Sequence, residues 1–200
     1  MIKVCGMREA ENIREAEALG IDLMGFIFWS KSSRYVSERP AYLPTKCKRV
    51  GVFVDASLEE IRQHADDYQL DLIQLHGHES PAFAEALRPL QLIKAFNIAC
   101  AEDLFKTEAY EGIVDYFLFD AKGKVAGGNG VKFDWSVLAS YHGTTPFLLS
   151  GGIAPDDIGA INSFHHPKFI GIDLNSRFEV EPALKNITKL RQFINQLHHE

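Results

Sequence analysis

Eight short apolar runs, each followed by a polar or helix-like stretch, recur along the chain, and no other feature limits its fold as strongly. The runs are Ile2 to Cys5, Leu23 to Phe28, Val50 to Val54, Leu72 to His76, Leu92 to Phe96, Tyr116 to Asp120, Phe147 to Ser150 and Phe169 to Asp173. Near-continuous apolar strands of this kind belong in a parallel sheet whose faces are covered. Helical spacing fills the intervals. Ile13, Ala16 and Leu19 share one face, and Leu58, Ile61 and Ala65 share another behind Ser57 and Glu60, a capping-box pair. Ser80-Pro81 opens a third helix, with Ser at the cap and Pro at the first helical position. Ala101 to Ala109, a segment capped by Asp134, and Pro155 to Ile161 continue the series. Leu184, Ile187, Leu190, Ile194 and Leu197 mark a last helix from about Glu181. Only the interval after the second run, with Pro40 and Pro44, suits a poor or broken helix.

Eight strand–helix units close naturally into an α/β (β/α)8 TIM barrel, and 200 residues lie at the small end of that fold's usual range of ~200 to over 400. An open doubly wound sheet competes, but no G-x-G-x-x-G follows the first run, and eight regular units favour closure. No linker or low-complexity segment interrupts the series, so residues 1–200 read as one compact barrel domain with short loops.

Composition excludes several classes. With 46% hydrophobic and 24% charged residues the chain is globular, and its net charge of -6 gives no sign of a nucleic-acid or anionic-membrane partner. No window approaches the roughly 18 apolar residues of a membrane span. The opening residues lack a signal-peptide pattern, so the cytoplasm is the default location. Cys5, Cys47 and Cys100 are far apart without C-x-x-C spacing, which suggests neither a disulfide framework nor a zinc site.

In a barrel of this type, chemistry sits at the C-terminal strand ends. Those positions hold Cys5, Arg34 in the second loop, Asp55, Gln74 and His76, Asn97, Asp120, Ser150-Gly151-Gly152, and Asp173-Leu174-Asn175-Ser176. That concentration of polar and reactive types points to an enzyme. Each residue also has a plainer reading: Cys5 as a small buried apolar residue, Asp120 as a cap for the glycine-rich loop, Arg34 as a surface cation. His76 and His78 sit two apart on a strand end and should diverge, which argues against a metal pair. Lys3 and Lys94 take interior or top-facing positions, with structural charge balance as the favoured role. The glycines after the seventh strand and the small polar residues after the eighth expose backbone amides, suited to a phosphate dianion. Gly127 to Gly130 reads as a mobile cover over Asp120.

Taken together, these motifs resemble the phosphoribosylanthranilate isomerase family. Lys3-Val4-Cys5-Gly6 matches its opening K-[IV]-C-G; Gly25 to Phe28 with Ser32 and Arg34-Tyr35-Val36 matches its G-F-x-F and S-x-R-Y-V. Gln74-Leu75-His76-Gly77, Asp120 with Gly127-Gly128-x-Gly130 and Phe133-Asp134-Trp135, Gly151-Gly152-Ile153-x-Pro155, and Asp173 to Glu179 complete the set. Departures are Ser30 for Pro, Asn129 for Thr, Ser150 for Ala, and Asn175 and Arg177 for Ser and Gly. The resemblance implies an Amadori rearrangement of N-(5-phosphoribosyl)anthranilate, in tryptophan biosynthesis, without metal or cofactor. It implies Asp120 as general acid, kept protonated by burial, and Cys5 as general base, with appreciable thiolate. Arg34 would bind the anthranilate carboxylate in bidentate fashion, the amides of Gly151, Gly152, Asn175 and Ser176 the phosphate, and Asp173 a ribose hydroxyl. Monomer and homodimer both fit, because an apolar helix face looks the same against the barrel or a second subunit. Two rivals stand beside it. One is an indole-glycerol-phosphate lyase or synthase, for which an N-terminal extension and a strand-end lysine are expected. The other is a non-catalytic phosphate-binding barrel.

Overall fold

Strand alternation decides which side chains line the interior and which meet the helices. In the computed structural model, which describes residues 1–121 and 134–197, every one of the eight apolar runs is a strand: β1 (Ile2–Cys5), β2 (Leu23–Ile27), β3 (Lys48–Phe53), β4 (Leu72–Leu75), β5 (Gln91–Ile98), β6 (Tyr116–Ala121), β7 (Phe147–Leu149) and β8 (Phe169–Leu174). They pair in parallel and in chain order, and β8 closes on β1 through Ile2–Ile172, Lys3–Asp173 and Val4–Leu174. The fold is therefore a closed (β/α)8 barrel in a single domain.

Its two faces carry two separate apolar clusters. Leu23, Val50, Leu72, Ile93, Ala95 and Leu118 fill the inside. Val4, Met24, Phe53, Ile73, Leu92, Phe96, Phe117, Phe119, Phe147 and Ile172 point outward under the helical layer. Burial of each such Phe or Leu side chain stabilises the fold by about 1.5–3 kcal/mol. On β6 the outward Phe117 and Phe119 enter an aromatic ladder with Tyr141 and Phe147, at ring separations from 4.8 to 6.1 Å. That ladder holds Leu118 inward, and alternation then turns Asp120 to the inside at the strand tip.

The helices are α1 (Ala10–Glu17), α2 (Leu58–Tyr68), α3 (Pro81–Glu85), α4 (Ile158–Asn162) and α5 (Ile187–Leu197). Ser57 and Ser80 cap α2 and α3 by accepting the N–H groups of Glu60 and Phe83, as expected. Asp134 likewise accepts from Ser136. Three expectations need correction. Ala101–Tyr110 and Trp135–Ser140 are 3-10 rather than α-helical. The last helix starts at Ile187, because residues 179–185 form a hairpin of β9 (Glu179–Glu181) and β10 (Leu184–Lys185). Lys94 faces outward, since Ile93 and Ala95 beside it point in. No helix follows β2; the chain there is tied down by Glu17, which accepts from the amides of Thr45 and Lys46 and from Tyr42. Among the described residues, no helix is long and apolar enough to cross a membrane.

Candidate active site at the barrel mouth

Lys3 and Cys5 face inward from β1, because Val4 between them packs outward. Lys3 is fully buried, and an unpaired ammonium there would be prohibitively costly. Asp173, its register partner on β8, meets it at 2.7 Å. The second Asp173 oxygen accepts from Ser150 Oγ at 3.2 Å. Both oxygens of Asp173 are thus used within the protein, and its expected ribose contact has to share them. Burial works against the Lys3 ammonium, yet Asp173 and then Cys5 more than offset it, so its pKa stands above the usual lysine value.

Cys5 is 4% exposed. Its sulfur lies against Gly25 of β2, where a Cβ would come within 2.7 Å of Sγ. Burial pushes the thiol up, and the Asp173 charge adds to that; Lys3 and Lys185 pull it down without winning. Burial at this position thus opposes the thiolate form. Lys185 did not figure among the sequence candidates. Nothing in its neighbourhood along the chain signals it, since β10 carries it in from far away.

Asp120 has a quarter of its side chain exposed, so the deep burial expected for a carboxyl held protonated is not what the strand tip provides. His76 is brought to it instead, with Nε2 3.6 Å from Oδ2. The Gln74 amide meets His76 Nδ1 at 2.8 Å, which fixes the imidazole orientation. The two histidines after β4 diverge as alternation requires: His78 turns to solvent and bonds Asp55. Asp55 thus ties loops together beside the mouth.

Arg34 is already held in bidentate fashion. Its Nε and Nη2 donate to Glu179 at 2.8 and 2.6 Å, so the fork pairing expected with a substrate is made inside the protein. Glu179 bonding raises the Arg34 pKa further, and despite burial the bonds from Arg34 and Lys185 hold the Glu179 carboxyl below its usual range. On β7 and β8, neighbours in the barrel, Ser150 leads into Gly151 and Gly152 with φ of 90° and 74°. A Cβ on Gly152 would meet nothing within 4 Å, so space lies open beside it. After β8, Asn175 places its side-chain oxygen on Lys185 Nζ at 2.8 Å, and Ser176 opens a short 3-10 turn. Arg177 is exposed. The glycine segment Gly127 to Gly130 lies outside the described residues.

Known proteins share the sequence pattern and the fold of this chain. The family model of N-(5'-phosphoribosyl)anthranilate (PRA) isomerase matches residues 2–196. A relative of that name from Parabacteroides distasonis is 53% identical, covering 100% of this chain and 94% of its own length. Another from Phocaeicola vulgatus is 51% identical, covering 98% and 97%. A solved phosphoribosyl anthranilate isomerase from Thermotoga maritima superposes with a TM-score of 0.87 at 30% identity, covering 98% of this chain and 97% of that one. A further isomerase structure, in complex with reduced 1-(o-carboxyphenylamino)-1-deoxyribulose 5-phosphate, gives 0.83 at 28% identity with the same coverage. The chain belongs to the N-(5'-phosphoribosyl)anthranilate isomerase family.

Proposed function

We propose that this barrel catalyses the Amadori rearrangement of N-(5'-phosphoribosyl)anthranilate to 1-(2-carboxyphenylamino)-1-deoxyribulose 5-phosphate in tryptophan biosynthesis, with Asp120 as general acid and Cys5 as general base. The carrying observation is that an inward carboxylate and an inward thiol end two strands of one mouth, in a chain of this family. The rearrangement breaks the bond from C1′ to the ring oxygen and shifts protons, with no atom gained or lost overall. Asp120 donates to the ribose ring oxygen as the ring opens to a Schiff base. Cys5 removes the proton at C2′, and the enolamine tautomerises to the ketone. His76, beside Asp120, orients the acid and offers a route for its reprotonation.

Binding divides among the remaining groups. Arg34, held by Glu179, turns its remaining guanidinium edge to the anthranilate carboxylate. The amides of Gly151, Gly152, Asn175 and Ser176 hold the phosphate, and the open space beside Gly152 supports that reading. Asp173 contributes to the ribose side while keeping Lys3 charged.

The test is turnover of phosphoribosylanthranilate, together with rescue of a tryptophan auxotroph lacking the isomerase. Asp120→Asn and Cys5→Ala should each lose roughly 10²-fold or more in kcat with little change in melting. Near-normal turnover in both variants would sink the assignment of acid and base. Failure of well-expressed wild-type protein to rescue would sink the activity.

A further inference from the structure

We infer that Lys185 is a positioning residue for Cys5: the β9–β10 hairpin delivers its buried ammonium to the thiol so that the thiolate can form inside the barrel. This rests on the reading of Cys5 as the base. Lys185 is 2% exposed, and its Nζ donates to Asn175 Oδ1 at 2.8 Å and to Glu179 Oε1 at 2.5 Å. Asn175 and Arg34 in turn crowd Gly6, the residue beside Cys5. A Cβ there would come within 3.0 Å of Asn175 Oδ1 and 2.7 Å of Arg34 Cδ. The loop after β2, the turn after β8 and, through Asn175, the hairpin therefore converge on Gly6, the residue that follows Cys5.

The hairpin is also clamped. Asn12 of α1, itself buried, donates from Nδ2 to the Lys185 carbonyl at 2.9 Å and accepts the Lys185 N–H at 2.7 Å. Both backbone polar groups of one lysine are fixed by one side chain 173 residues away. That is more than a hairpin needs merely to close.

Charge counting gives the clamp a purpose. The charged groups around Cys5 are Lys3 on β1, Asp173 on β8, Arg34 after β2, and Glu179 and Lys185 on the hairpin. Asp173 matches Lys3, and Glu179 already satisfies Arg34 in bidentate fashion. Lys185 shares Glu179; burial holds its pKa below the usual lysine value while Glu179 and Cys5 favour its ammonium, and with that ammonium in place one positive charge is in surplus. A Cys5 thiolate is the anion that balances it. Both lysines favour that thiolate against the burial that opposes it.

The experiment titrates Cys5 directly, by ultraviolet thiolate absorbance in a Cys47→Ser, Cys100→Ser background, alongside the pH profile of kcat/KM. Lys185→Met should raise the Cys5 midpoint by about one pH unit, leaving roughly tenfold less thiolate at neutral pH. It should lower kcat by a similar factor while KM moves little. Lys185→Arg, which keeps the charge, should restore most of both. Asn12→Ala, which only loosens the clamp, should move the midpoint in the same direction by less, and it keeps the question answerable if Lys185→Met folds poorly. Lys94→Met, which breaks a buried pair outside the barrel, should leave the midpoint in place. An unmoved midpoint in both Lys185→Met and Asn12→Ala, or equal losses in the Met and Arg variants, would overturn the inference. A midpoint that moves without any change in turnover keeps Lys185 in this role and removes Cys5 as the base.

Discussion

Two lysines are buried against carboxylates on opposite sides of the barrel wall, and their surroundings differ. Lys94 on β5 points outward. Its Nζ bonds Glu79 at 2.8 Å and the carbonyls of Gly77 and Leu75 at 2.7 and 3.3 Å. Glu79 in turn accepts from the amides of Asp55 and Gly77. Donors and acceptors there are satisfied by backbone, and the result is a staple joining the loops after β3 and β4. Lys3 on β1 points inward, and beyond Asp173 it faces Cys5, a group that can change its proton count. A lysine–carboxylate pair thus ties loops together on one face and, in the proposed mechanism, bears on the base on the other. Strand parity alone decides which.

The largest effect that separates the two concerns the lysines themselves. Removing one partner of a buried pair costs about 3–5 kcal/mol. Lys94→Met and Lys3→Met should therefore both lower the melting temperature by comparable amounts. Only Lys3→Met should also cut kcat, by about tenfold, because it alone removes a charge that favours the thiolate. Equal kcat losses in the folded fractions would erase the contrast. Next in size is an acid effect at the mouth. The folded Glu179 pKa lies below the unfolded value of ~4.3, so its stabilisation is present above that pH and is lost as pH falls through the folded value. Glu179→Gln should melt lower at neutral pH but show a flatter acid limb as pH falls through the folded Glu179 pKa. Parallel limbs would mean that Glu179 is not the group titrating. The smallest effect is Ser150→Ala, which removes a neutral donor from Asp173 and should cost about 1 kcal/mol with kcat nearly intact. A kcat loss as large as that of Lys3→Met would show that Asp173 depends on Ser150 for its orientation.

Local chemistry was legible in the chain. The eight strands follow from contiguous β-branched and aromatic residues, and the Ser57 and Ser80 caps follow from a hydroxyl three residues before the amide it accepts. Spacing misled where tertiary contacts override it. Leu184 continues the periodicity of Ile187 and Leu190, but Glu179, held by Arg34 and accepting the Ala183 N–H, turns residues 179–185 into a hairpin. Lys185 was invisible for the same reason: its contact with the site depends on Asn12 and on the hairpin, which no window of sequence joins. His76 was placed at a strand end by its pattern. Its partner on β6 could be identified only once β4, β5 and β6 were in register. The Arg34 fork looked free for a ligand because Glu179 lies 145 residues away.

Barrel closure has a further consequence, for synthesis and folding. Lys3 meets Asp173 across 170 residues, and Asn12 meets Lys185 across 173. Contacts of such sequence separation form late and slowly, because the whole chain between them must first be organised. A nascent chain holding Cys5 and Asp120 but ending before residue 173 already carries Lys3 and still lacks Asp173, Glu179 and Lys185. The surroundings of Cys5 are completed by the same seam that finishes the barrel.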